Sequence, residues 1–99
     1  MSSRIFTYED AVALLPEVQR ITSEAASQLD ALESEDPADY QDVVREWAEA
    51  ILGLGLEVKG LWLVDFDSGA GYYCWRHPEP ALEHFHGYDE GFPGRVKLN

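Results

Sequence analysis

Between Val64 and Arg95 the chain gathers most of the side chains able to do chemistry: Asp65, Cys74, Trp75, Arg76, His77, Glu79, His84, His86, Asp89 and Arg95. His84 and His86 stand two apart. On a strand such residues project from one face about 6–7 Å apart, which suits two imidazoles on one metal ion. Glu79, Asp65 or Asp89 would add a carboxylate, so His84, His86 and Glu79 form a candidate metal group for zinc, nickel or iron. The plainer alternative is a pair of half-exposed strand histidines on an acidic protein. Glu79 with His86 would also make a general acid–base pair, since a carboxylate orients an imidazole. No G-x-S-x-G or H-E-x-x-H phrase accompanies them, and Gly69-Ala70-Gly71 is too short to cradle a phosphate.

Asp65 is an acid within the apolar run Leu61–Phe66. A buried carboxylate needs a partner, because desolvating an unpaired one is costly. Arg95 or Arg76 is the natural counter-ion, and an Asp65–Arg95 bridge would tie the C-terminal loop to the first strand. Otherwise Asp65 would be a base or ligand in a cleft. Cys74 would be reactive beside Arg76 or His77, but a lone cysteine among aromatics reads first as a small buried hydrophobe. Trp75, with Tyr72, Tyr73, Phe85 and Phe92, would either stack on a ligand ring or fill the core. The candidate ligand-binding set is therefore Asp65, Trp75, Glu79, His86 and Arg95. Residues 87–95 form a long loop for so small a chain, either a functional loop whose Arg95 grips a carboxylate or phosphate, or one folded back with Phe92 in the core and Arg95 on Asp65.

The elements that must position these residues follow from periodicity. Thr7 caps a helix, with Asp10 completing a capping box, and Ala11, Leu14, Leu15, Val18, Ile21, Ala25, Leu29 and Leu32 recur at heptad-like spacing. Pro16 lies near the start of that helix and predicts a slight kink. Asp36-Pro37 opens a second helix as N-cap and first helical residue, with Tyr40, Val43, Val44, Trp47, Ile51 and Leu54 on one face and Gly53 and Gly55 at its end. The short acidic loop between them makes an antiparallel helical hairpin. Beyond Gly60 the pattern changes to strands: Leu61–Phe66, Tyr72–Arg76, and Ala81–His86 with Leu82, His84 and His86 on one face. A short last strand at 95–98 is also open. The fold class is α+β in the order ααβββ, a helical hairpin against a small three-stranded antiparallel sheet. It forms a single domain over 1–99, with the hairpin at 7–54 and the β-rich part at 61–98.

A chain of 99 residues buries a modest core, and a first helix spanning roughly 37 Å outruns three strands covering about 14 Å. Something else must cover the remaining apolar stripe, and the expectation is a homodimer in which paired hairpins make a four-helix core. The net charge of −12 argues against nucleic acid and against an anionic membrane surface. A single cysteine excludes an internal disulfide framework, no apolar run is long enough to span a membrane, and no signal pattern opens the chain; the expected location is cytoplasmic.

Phe6-Thr7-Tyr8-Glu9-Asp10-Ala11-Val12-Ala13-Leu14-Leu15-Pro16 resembles the opening phrase of a prokaryotic family, domain of unknown function 2203. Gly55–Lys59, Val64-Asp65-Phe66, Cys74-Trp75, Pro78-Glu79-Pro80, Phe85-His86, Gly91-Phe92 and Arg95 resemble its later phrases in order. The chain departs at Pro78, where the family has Gly, and at Phe85, where it has Trp. Asp65, Glu79, His86 and Arg95 are all present. The resemblance supports the fold and implies no activity. Two readings of function remain: a small homo-oligomeric interaction or structural module whose polar cluster locks sheet and loop, or a metal- or small-ligand-binding protein, conceivably a hydrolase, built on the His/carboxylate cluster.

Overall fold

A computed structural model describes residues 4–98. Helix α1 spans Tyr8–Ala31 and helix α2 spans Pro37–Gly53. Thr7 accepts from the backbone N–H of Asp10 while the Asp10 carboxylate accepts from that of Thr7, so the capping box forms at the place its residues dictate. Asp36 caps α2 through the N–H of Ala38, and Pro37 occupies a first-turn position where its missing N–H leaves no bond unmade. The two helices run antiparallel. The indole N–H of Trp47 donates to Thr22 at 2.8 Å, and the Tyr40 hydroxyl meets the Leu32 and Ser34 carbonyls at the hairpin's closed end.

The sheet has five strands, not three, in the order β1 (Glu57–Gly60), β2 (Leu63–Asp67), β3 (Tyr72–Arg76), β4 (His84–His86) and β5 (Val96–Lys97), each antiparallel to the next. The first expected strand is a strand and a turn joined. Leu61 and Trp62 reverse the chain between β1 and β2, with Trp62 in the left-handed region at φ 58°. That conformation costs a tryptophan about 1–3 kcal/mol. It is held because the Trp62 ring meets Trp47 edge-on at 4.9 Å and its carbonyl accepts from the N–H of His77. Hydrophobic content alone reads such a turn as strand. The third expected strand is shorter than its apolar pattern suggests. Leu82 leaves the His84/His86 face and is buried in the helix-facing core, since residues 77–83 run as turns and bends.

Strand alternation sorts the sheet into two unlike faces. Val64, Phe66 and Trp75 point to the helices and join Phe6, Val18, Trp47, Ile51, Leu56 and Leu82 in one core. Phe6 meets Phe66 edge-on at 5.3 Å, and its N–H donates to the Asp67 carbonyl, which fixes the entry into α1. The opposite face carries Leu63, Asp65 and Asp67 of β2, Arg76, Cys74 and Tyr72 of β3, and His84 and His86 of β4, paired across by register. Neither α1 nor α2 packs on this second face, since both pack in the core on the other side. Residues 87–95 fold over it instead, as the lining of a cavity there by Asp65, Cys74, His86, Glu90, Gly91 and Phe92 makes plain. Among the described residues no helix is long and apolar enough to cross a membrane.

Candidate functional site

The polar face is built by the β2–β3–β4 register. Asp65 stands opposite Cys74, and Cys74 opposite His84, while His86 stands opposite Tyr72. The side chains of Asp65, Cys74 and His86 converge, each offering one ligand atom within 4.8 Å of the others. All three are buried. The Nε2 of His86 lies 3.0 Å from Asp65 Oδ2, and its Nδ1 lies 2.9 Å from the Gly87 carbonyl oxygen. A carbonyl only accepts, so Nδ1 carries a proton, and Nε2 is the nitrogen turned to Asp65 and Cys74. The second carboxylate oxygen, Asp65 Oδ1, is buried with no hydrogen-bond partner.

Burial disfavours the charged forms of the Asp65 carboxyl and the Cys74 thiol. Burial pushes the Asp65 carboxyl above its usual range, against the lowering pull of His86, Cys74 and Lys59. Burial, with the neighbouring Asp65, pushes the Cys74 thiol up to about 12. The His86 nitrogens already face Asp65 and Gly87, so the imidazole is hydrogen-bonded elsewhere and not to the Cys74 thiol. The expectation of Cys74 as a buried small side chain agrees with the structure.

The ion pairs differ from expectation. Asp65 does not bridge to Arg95, and Glu79 does not orient His86. Arg95 instead forks onto Glu79, Nη1 to Oε1 at 3.0 Å and Nη2 to Oε2 at 2.8 Å. Glu79 Oε1 also accepts from the Arg76 backbone N–H at 2.8 Å. Burial raises the Glu79 carboxyl, but Arg95 and that N–H outweigh it, and the net shift is downward. The reason for the exchange is geometric: Asp65 sits mid-strand and meets the strand end at His86, whereas Glu79, in the turn after β3, meets the chain as it returns to β5. His84 lies apart from the buried trio, its Nδ1 3.8 Å from Glu79 Oε2. The expected set His84, His86 and Glu79 therefore divides into two neighbouring groups, His84–Glu79–Arg95 and His86–Asp65–Cys74. Trp75 lies on the other face, buried in the core, its indole N–H donating to the Glu79 carbonyl. Phe92, by contrast, is not in that core. Its half-buried ring is flanked by two guanidinium groups, Arg95 at 4.2 Å and Arg76 at 5.3 Å from its centroid. Asp89 is exposed on the loop.

Lys59 is the site residue that sequence reasoning passed over, and Cys74 was read first as a small buried hydrophobe. A signal for Cys74 was there: alternation across the β2–β3 hairpin puts it beside Asp65. Lys59 was invisible because β1 itself was read as a connection. Its Nζ lies 3.0 Å from Glu57 and 4.5 Å above the Tyr72 ring, at the rim of a cavity of about 250 Å³ whose floor is Asp65, Cys74 and His86. In chemical terms the floor presents one thiol, one imidazole and one carboxyl, a donor set that could hold a transition metal ion.

An α+β chain with a helical hairpin behind a five-stranded sheet, and a buried Asp/Cys/His group on the sheet's open face, is the class these observations define. Over residues 32–98 it matches the family described as Uncharacterized conserved protein (DUF2203), and the chain belongs to that family. No curated protein and no solved structure matches it. The fold brings Asp65, Cys74, Glu79, His86, Gly91, Phe92 and Arg95 together on one face of the sheet.

Proposed function

We propose that the protein binds a divalent transition metal ion through Asp65, Cys74 and His86, with its remaining coordination position turned to the cavity. The observation that carries this reading is the unpartnered buried Oδ1 of Asp65 beside a thiol and an imidazole nitrogen. Buried polar atoms are nearly always satisfied, and an exception inside a donor cluster asks for a missing partner. Tetrahedral zinc with bonds of about 2.0–2.3 Å separates its donors by roughly 3.3–3.8 Å, so the trio needs only modest closing. A thiolate and a carboxylate neutralise a divalent ion, which suits a buried position better than two bare anions do. The Gly87 carbonyl holds His86 in the tautomer that presents Nε2. Three protein donors and one open position are the arrangement of reactive metal sites; structural ones close all four.

The test is a titration of chelator-treated protein with Zn2+ and Co2+. A cobalt–thiolate charge-transfer band and a melting-temperature rise of roughly 10–20 °C at a hundredfold excess over Kd are expected. Both should vanish in Cys74→Ser and His86→Gln. A folded wild-type protein that shows neither response refutes the reading.

Self-association is a second reading, favoured by the far end of the hairpin. There Leu29, Tyr40 and Val44 line an apolar hollow of about 410 Å³ beyond the reach of the sheet. A second hairpin packed on that stripe would make the four-helix core. Sedimentation should find a dimer that Val44→Glu dissociates. A monomer at high concentration would discard this reading.

A further inference from the structure

A second hollow adjoins the metal-site cavity. It is an apolar groove of about 350 Å³ lined by Leu61, Leu63, Phe92 and Arg76. Leu63 and Phe92 line both spaces, so groove and cavity share a lip and open onto each other's mouths. Three of the four walls are hydrocarbon or ring, and Leu61 is 52% exposed. The fourth wall is a cation. Arg76 is exposed and makes no ion pair among the described residues, its guanidinium resting 5.3 Å from the Phe92 centroid. Its neighbours on this face are already matched, Lys59 with Glu57 and Arg95 with Glu79. The charge pattern is local. All four basic residues of the sheet half, Lys59, Arg76, Arg95 and Lys97, belong to the open face, while the chain as a whole carries −12.

We propose that this groove takes a small amphipathic carboxylate, an unbranched apolar stem ending in an acid group. The stem lies along Leu61, Leu63 and Phe92, the carboxylate meets the free Arg76 fork, and the far end of the stem reaches the mouth of the metal cavity. A neutral apolar ligand would leave Arg76 unused. A polar anion without a stem would leave the leucines exposed and would have to approach a strongly acidic protein against its field. The proposal deepens the metal-site reading by naming the molecule that shares its mouth, and it depends on that reading for its purpose, though not for its binding.

The experiment is calorimetric titration of the full chain with hexanoate, octanoate and 1-octanol below micelle formation, in chelator and again with Zn2+. Each added methylene should tighten binding roughly fourfold, so octanoate should bind about fifteenfold more tightly than hexanoate. Octanoate should exceed 1-octanol by about tenfold or more, the worth of a hydrogen-bonded charge. Arg76→Gln should abolish the preference over the alcohol and keep the chain-length dependence. Leu61→Ser should weaken octanoate and 1-octanol alike. Both positions are exposed, so neither change threatens the fold. Absence of chain-length dependence in the wild type overturns the proposal, as does octanoate binding unaltered by both substitutions. Octanoate binding without any zinc or cobalt response would refute the metal ion alone, and the reverse result would refute the groove alone.

Discussion

Replacing Asp65 by Asn separates the two meanings its burial can have. The side chain is fully buried, with Oδ2 3.0 Å from His86 and Oδ1 without a partner. Burial raises its pKa above the unfolded value of about 3.9. A group raised in the folded state stabilises fully below its unfolded pKa, and that contribution is lost as pH climbs through the folded pKa. Near neutral pH an ionised Asp65 is therefore a net cost to the metal-free protein. Asparagine keeps the shape and removes the charge, and its amide N–H can donate to the Nε2 lone pair that Gly87 leaves exposed. Asparagine still leaves one oxygen unmatched, so the gain is limited to the removed charge and the new amide hydrogen bond, about 1 kcal/mol. For a chain of this size that is a rise of roughly 4–8 °C in Tm at pH 7 in chelator, with a flatter stability profile from pH 4 upward. The same change removes an anionic donor, so the zinc-induced rise should disappear. Urea melts across pH with and without Zn2+ read both effects. If Asp65→Asn instead loses about 3–5 kcal/mol at pH 7, Asp65 and His86 form a true buried ion pair. The cluster would then be a lock between sheet and loop, and the reasoning from an unsatisfied ligand set would fall.

Other consequences reach outward from the site. Thr22→Val should cost about 1–3 kcal/mol, because the Trp47 indole N–H loses its acceptor at 2.8 Å in a dry helix–helix contact; chemical denaturation measures it. Gly71→Ala should destabilise and also weaken zinc binding: a Cβ there would run into the Phe85 ring and come within 2.8 Å of the His86 carbonyl oxygen, displacing the strand that carries His86. Calorimetry on the folded variant tests the second half. Glu79 is lowered in the folded state, so its contribution is present above the unfolded carboxylate pKa and lost as pH falls through the folded one. Glu79→Gln should flatten that acid limb, and a double-mutant cycle with Arg95→Gln should give a coupling of about 1 kcal/mol.

The helices were legible because their signals are local. Thr7 with Asp10, and Asp36 with Pro37, state where each helix begins, and heptad spacing states which side is buried. The sheet was legible only where hydrophobic content and strand coincide. Glu57–Lys59 alternates too briefly to announce β1, and Leu61-Trp62 is apolar enough to hide a turn held in place by Trp47, fifteen residues earlier in the chain. The site shows the same division. Asp65 in an apolar run signalled its own importance, yet its partner could not be read from charge. Opposite charge favoured Arg95, whereas register delivers His86 to Asp65 and leaves Arg95 to the turn glutamate. Cys74 was read by its commonest role, and only pairing across the β2–β3 hairpin shows it beside the acid.

That division explains why the open face can hold an uncomfortable group at all. The two faces of the sheet differ in what they ask of their residues: Val64, Phe66 and Trp75 fill the core with the helices, so β2 and β3 are fixed by apolar packing whatever sits behind them. Asp65 and Cys74 alternate with those anchors and are carried into place by the same backbone. Hydrophobic stabilisation of one face thus offsets polar strain on the other, as functional sites often require. His86 is the exception, since β4 has only three residues and leans on β3 and the Gly87–Arg95 loop. Its position depends on Phe85 against Tyr73, Arg95 on Glu79 and the Gly87 carbonyl on its own ring. Of the three proposed ligands it is therefore the one best able to move when an ion binds. A crystal structure with zinc should show the Asp65 and Cys74 side chains nearly where they are and the His86 ring displaced towards them; an unmoved His86 beside a shifted Asp65 would contradict this account.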